Sequence, residues 1–123
     1  MKATRTERGW AGHFICAADC RFRRNTLISF MDRKVVVSTV GNMRRDGKME
    51  TIGAFGRYYE TMAFEAKEEG AYIEADVSEQ LSFNSEWAIS YENLDDMPED
   101  VDKLADKMHE AVVNEFIASM EAA

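Results

Sequence analysis

The hydrophobic pattern of this 123-residue chain changes period once, and that change limits the fold more than any other feature. From Trp10 to Tyr91 apolar residues come in short runs or alternate with polar ones, as strands require. From Val101 they recur at helical spacing: Val101, Leu104, Ala105, Met108, Val112 and Phe116, with Val113, Ile117 and Met120 widening the stripe. The border holds the one proline of the chain, in Asp96-Met97-Pro98-Glu99. That tetrapeptide reads as a helix start, with Asp96 as N-cap, Glu99 as its reciprocal partner and Pro98 in the first turn. A chain written this way is α+β: an antiparallel β-sheet of roughly six to eight strands, then one long C-terminal α-helix over residues 97–120 packed on it. The stripe is broader than one sheet face needs, so part of it is expected to meet a second subunit.

The strongest strand signal is the β-branched run Lys34-Val35-Val36-Val37-Ser38-Thr39-Val40. Met31-Asp32-Arg33 reads as the turn leading into it, and Asp46-Gly47, between Met43 and Met49, as a tight hairpin turn. Arg57-Tyr58-Tyr59-Glu60-Thr61-Met62-Ala63-Phe64 reads as a strand with Tyr58, Met62 and Phe64 on a core face. Arg57, Tyr59 and Thr61 then share the other face, a cation beside a ring and a hydroxyl that suits a nucleotide-like anion. Lys67-Glu68-Glu69-Gly70 reads as a polar turn, followed by alternating Ala71, Ile73, Ala75 and Val77. Leu81 shares a face with Phe83, and Trp87 with Ile89 and Tyr91. Residues 1–9 are polar and expected to fray. With no repeat or linker, the whole of 1–123 is expected to form one domain.

Charge is divided along the chain. Residues 1–60 carry twelve Lys and Arg against six Asp and Glu, and residues 61–123 carry three against seventeen. The net charge of -8 argues against DNA or RNA as a partner, since such binding rests on phosphate neutralisation. The basic half is compatible with a local anion site, or with two halves that neutralise each other within the fold or an oligomer. Nine of its twelve cations are arginine, which grips phosphate oxygens bidentately. No run of 18 apolar residues suggests a membrane span, and the N-terminal residues lack the apolar segment of a secretion signal. The cytoplasm is the expected compartment.

Little in the chain reads as catalytic. His13-x-x-Cys16-x-x-x-Cys20 is the one arrangement with metal-ligand residues close together, and it lacks the second pair that zinc sites use. Small buried cysteines are the simpler reading. Cys16 or Cys20 with His109 has no flanking signature of a thiol hydrolase. The acids Asp95, Asp96, Glu99, Asp100 and Asp102 suit a solvated helix start. The expectation is a protein that is not an enzyme and carries no cofactor or metal. Binding residues are easier to name. Arg21 and Arg23 fall on one face of a strand and Arg24 on the other, and Arg44-Arg45 flank the Asp46-Gly47 turn. Phe83, in Ser82-Phe83-Asn84-Ser85, suits base stacking or core packing with Leu81. Asn93 lies in a loop, where an amide reads a purine edge or a ribose hydroxyl.

Several blocks together resemble a small phage-encoded family. They are Trp10-Ala11-Gly12-His13-Phe14-Ile15-Cys16, Phe22-Arg23-Arg24-Asn25-Thr26-Leu27, Val36-Val37-Ser38-Thr39-Val40-Gly41, Arg57 to Phe64, and Met108-His109-Glu110-Ala111-Val112-Val113. The family is the Thoeris anti-defence sponges. The resemblance implies a phage protein in the host bacterial cytoplasm that sequesters, without cleaving, cyclic ADP-ribose isomers made by TIR-domain proteins. It also implies that some members hold cyclic oligonucleotides of CBASS defence at a second site. Dimers that associate into hexamers are implied, with the cyclic ADP-ribose pocket at a subunit contact. On this resemblance Phe83 stacks on the adenine, Asn93 hydrogen-bonds the ligand, Arg57 meets the pyrophosphate, and Arg24 serves the cyclic-oligonucleotide site. The family's helix arginine is replaced here by Lys103, Lys107 and His109, which puts the helix's phosphate contacts in question. Two alternatives remain open at this point: an inhibitor that binds a host defence protein through the acidic half, and a hydrolase of the same signals.

Overall fold

The computed structural model describes residues 2–9, 19–69 and 72–122. Two left-handed turns set its frame. β2 (Cys20–Phe30) and β3 (Arg33–Arg45) are joined by Met31–Asp32, with Met31 at φ 54°. β3 and β4 (Lys48–Glu50) are joined by Asp46–Gly47, at φ 51° and 76°. Two-residue hairpins need this backbone because it matches the strand twist, and glycine adopts it without strain. β5 (Arg57–Glu69) pairs with the other edge of β3, β1 (Thr4–Glu7) with β2, and β6 (Tyr72–Leu81) with β5. The order is β1-β2-β3-β5-β6, all antiparallel, with β4 beside the end of β3 and β7 (Ala88–Ser90) beside the start of β5. With the helix α1 (Val101–Ala122) packed on that sheet, the architecture is the expected α+β.

One sheet face receives α1. Ile28, Val35, Val37 and Ala63 meet Val112, Val113, Phe116 and Met120. Nearer the helix start, Phe22, Tyr58 and Tyr59 meet Val101, Ala105 and Met108, with the Phe22 and Tyr59 rings edge-on at 5.8 Å. Burying each large apolar side chain contributes about 1.5–3 kcal/mol. Val36, Ser38 and Val40, on the opposite face of β3, are buried as well. A strand covered on both faces has no reason to alternate, and so Val35 to Val40 reads as a run. Among the described residues no helix is long and apolar enough to cross a membrane.

Four expectations need correction. Residues 4–7 do not fray: they form edge strand β1, paired from Thr4↔Ser29 to Glu7↔Thr26. The polar Lys67-Glu68-Glu69 belongs to β5 rather than to a turn, because its backbone pairs with β6. The helix starts at Val101, not at residue 97. Leu94–Asp96 closes its own 3-10 turn, Met97 N–H donating to the Leu94 carbonyl, so Asp96 is committed before it can cap α1. The face assignment in β5 is the fourth. Between Arg57↔Ser90 and Tyr59↔Ile89, β5 advances two residues and β7 one, a bulge at Tyr58. Tyr59 and Thr61 therefore face α1, fully buried, while Arg57 lies apart from them.

Candidate functional site

The outer edge of β5 is shared by two partners, and the site lies in the gap between them. β7 pairs with Arg57 to Glu60, and β6 pairs from Ala63 onward. The loop 82–87 crosses the interval, held by Thr61 N–H donating to the Trp87 carbonyl at 2.7 Å. Glu115 of α1 fixes the loop: its carboxylate accepts from the Asn84 and Ser85 amides at 2.7 and 2.8 Å and from the Ser85 hydroxyl at 2.6 Å. The Ser85 hydroxyl bond is the main reason the Glu115 carboxyl is held below the usual carboxylate range. The result is a cleft of about 590 Å³, lined among others by Arg57, Glu60, Met62, Gln80, Phe83 and Trp87.

Two of the four residues expected to bind ligand come together here. Arg57, at the start of β5, lies with its guanidinium 4.8 Å from the centre of the Trp87 ring and its Nη1 3.4 Å from Glu60 Oε2. The guanidinium also lies against Gly53, where an added Cβ would be 2.5 Å from Nε and 2.6 Å from Cζ. Phe83 does both things its pattern allows: one side of the ring is edge-on to Phe116 at 6.0 Å, and the residue lines the cleft. A stacking ring, a cation and a carboxylate in one concave space suit a ligand with an aromatic base, an anionic group and hydroxyls.

The other two lie elsewhere. Asn93 precedes the 3-10 turn, exposed, its side chain making no capping bond, and it does not line the Arg57–Phe83 cleft. Arg24 is two strands away on β2 and engaged with acids: Glu7 at 2.5 Å, Glu110 at 3.3 Å and Asp106 at 3.4 Å. Arg5 completes the cluster, 2.6 Å from Glu110 and 2.9 Å from Glu7. Its bond from Arg5, first, and the nearby guanidinium charges hold the Glu110 carboxyl below its ordinary range. Bonds from Thr26 and Arg5 and the charge of Arg24 outweigh burial to do the same for Glu7.

Comparison with known proteins finds no match among family models, curated sequences or solved structures. The geometry of this chain has to carry the reading of the site.

Cys20 is buried beside Val40 and Met43, where it packs, whereas His13 and Cys16 lie outside the described residues. Among the described residues no three His, Cys, Asp or Glu are grouped so as to hold a metal ion. His109 points inward from α1. Its Nε2 is 2.7 Å from Thr26 Oγ1 and its Nδ1 2.7 Å from Thr39 Oγ1. Thr26 also donates to the Glu7 carboxylate at 2.9 Å, which leaves its oxygen to accept the Nε2 proton. Nδ1 then accepts from Thr39, which accepts from Thr61 at 2.6 Å. Burial and the charge of Arg24 push the imidazole down to about 4, against the opposing pull of Glu7 and Glu110, so it is neutral at pH 7.

Sequence reasoning missed Glu60, Gly53 and Trp87. Strand parity grouped Trp87 with Ile89 and Tyr91, but β7 begins at Ala88, and Trp87 stays 48% exposed at the cleft. Nothing local marks Gly53, whose role depends on a side chain four residues later.

Proposed function

We propose that this protein is a non-enzymatic binder of small nucleotide signals, a sponge that holds cyclic ADP-ribose isomers intact in the cleft beside β5. The single observation that supports this most is the meeting of Arg57 and Phe83, from different elements, in one cleft of nucleotide dimensions. Both were named for that ligand from the sequence resemblance, Arg57 for the pyrophosphate and Phe83 for the adenine. Stacking on one ring contributes about 1–3 kcal/mol, and a charge-assisted bond to phosphate about 1.5–3 kcal/mol. After association costs, that yields about micromolar binding. Tight capture needs more contacts, and Asn93, outside this chain's cleft, would supply one from a second subunit. The proposed assembly is accordingly a dimer with the pocket at its contact, in the cytoplasm of a phage-infected bacterium. Binding of CBASS cyclic oligonucleotides at Arg24 would require an anion to displace Glu7, Asp106 and Glu110 from its guanidinium.

The test is capture and release. Purified protein is mixed with 1″–3′ or 1″–2′ cyclic ADP-ribose, separated from free ligand, heat-denatured, and the supernatant chromatographed. Depletion of free ligand followed by intact recovery is expected, and Arg57→Ala or Phe83→Ala should weaken binding at least tenfold. Ligand that stays free throughout sinks the reading, and recovery of a cleaved product makes the protein a hydrolase instead.

A further inference from the structure

Arginine is a long, flexible cation, and ordering it against a ligand costs rotamer entropy unless something has ordered it beforehand. Arg57 is already ordered. One face of its guanidinium lies over the Trp87 indole, 4.8 Å from the ring centre, a cation–π contact. Gly53 lies against the same group, so closely that even a methyl group there would overlap Nη2, Nε and Cζ. The backbone keeps the two ends of this slot together. Gly53 and Arg57 form an isolated β-bridge, and Ile52 N–H donates to the Arg57 carbonyl at 2.8 Å. Trp87 is held by its carbonyl bond from Thr61 and by the Glu115 clasp on the preceding residues. A guanidinium confined by a ring and by a backbone keeps its orientation before any ligand arrives. Of its nitrogens, Nη1 meets Glu60 at 3.4 Å, and Nε is buried with no hydrogen-bond partner among the described residues.

We propose that Gly53 and Trp87 are positioning residues: they confine the Arg57 guanidinium so that its Nη1 side meets a ligand oxyanion, such as a phosphate or pyrophosphate oxygen. The inference rests on Arg57 being the anion contact of the cleft. Glycine is required at position 53 by space and not by backbone, since its φ lies outside the left-handed region. What a methyl group meets is the far end of a long side chain and not backbone, so Gly53→Ala leaves the fold intact and moves Arg57 out of its slot.

The experiment has a ligand-free arm and a binding arm. In protein labelled with 15N-arginine, the Arg57 Nε–H resonance of the wild type should be shifted by the indole ring current and slow to exchange. Trp87→Phe should keep a reduced form of this signature, and Trp87→Leu and Gly53→Ala should abolish it. An unshifted, rapidly exchanging Arg57 Nε–H in the wild type overturns the clamp, whatever the protein binds. In the binding arm, with 1″–3′ cyclic ADP-ribose as probe, Gly53→Ala and Trp87→Leu should each weaken binding about tenfold, and Trp87→Phe less than threefold. On an Arg57→Ala background neither substitution should weaken it further. Equal losses with and without Arg57 would show that these residues act on the cleft by another route, which also overturns the proposal. A wild type that shows the clamp signature but does not bind the probe rejects the nucleotide reading and the presentation of Arg57 to that oxyanion together, and leaves only the clamp geometry standing.

Discussion

At the scale of single residues, two ionisable side chains are balanced against their surroundings in opposite ways. Glu60 faces Arg57 in the cleft and gives the guanidinium a counter-ion that any anionic ligand has to replace. Replacing it by glutamine removes the competing charge while keeping the shape. Glu60→Gln should therefore raise affinity for an anionic nucleotide about three- to tenfold, measured by calorimetry, with a steeper dependence on salt. His109 is held neutral because its site accepts only one proton on the ring: Nε2 donates to Thr26 and Nδ1 accepts from Thr39. Its pKa is about 4 in the fold against about 6.5 in an unfolded chain, so the unfolded state takes up the proton first. The stabilisation is full above pH 6.5 and is lost as pH falls from there towards 4, amounting at most to about 3 kcal/mol. Urea denaturation at pH 7, 6 and 5.5 should show the onset of this decline, above the range in which Glu7 and Glu110 titrate in the unfolded chain. His109→Leu should flatten it and cost about 2–4 kcal/mol at pH 7, because the Thr26 and Thr39 hydroxyls lose their partner.

At the scale of elements, the cleft exists because β5 exchanges one edge partner for another. The loop 82–87 that spans the exchange is short of backbone partners, and one helix carboxylate compensates. Glu115→Ala should free the Asn84 and Ser85 amides, raising their hydrogen exchange while leaving the β2–β3 hairpin protected. Ligand affinity should fall as well, since Phe83 and Trp87 flank the released residues. The bulge at Tyr58 acts on the same strand. It places Tyr58 and Tyr59 in one apolar cluster, with the Tyr59 hydroxyl donating to Asp102 at 2.5 Å across to α1. Burial and that carboxylate hold the phenol well above its ordinary range, so it stays a donor at any working pH.

Across the whole molecule, the basic first half and the acidic second half answer each other where they meet. Arg5 and Arg24 pair with Glu110 and Asp106, and Arg33 pairs with Glu65 at 2.8 Å. Neutralisation within the fold thus accounts for part of the charge division, and Arg57 in its slot for the part with a proposed function. Leu104 on α1 is 39% exposed beside a groove that includes Ile89, Tyr91, Met108 and Ala111. A dimer using this helix face should be disrupted by Leu104→Glu, seen as a halved mass in light scattering. An unchanged mass would place the contact on another surface.

Properties that depend on neighbours in sequence were legible from the chain alone. The switch from period two to helical spacing, the Asp46–Gly47 and Met31–Asp32 turns, and the valines of β3 all follow from local sterics and solvent exclusion. Phe83 and Arg57 stood out only as candidates, an aromatic in a polar loop and an arginine at a strand start, and the ligand roles proposed for them came from the resemblance. Only the tertiary structure decided which face Tyr59 and Thr61 take, because a bulge is a mismatch between two paired strands and belongs to neither sequence. It also decided that Arg24 is committed to acids brought in by β1 and α1, and that His109, on a helix stripe, is a buried hydrogen-bonding residue. The slot around Arg57 is of the same kind. Gly53 and Trp87 are 34 positions apart, and what joins them is the strand pairing that places both against one guanidinium.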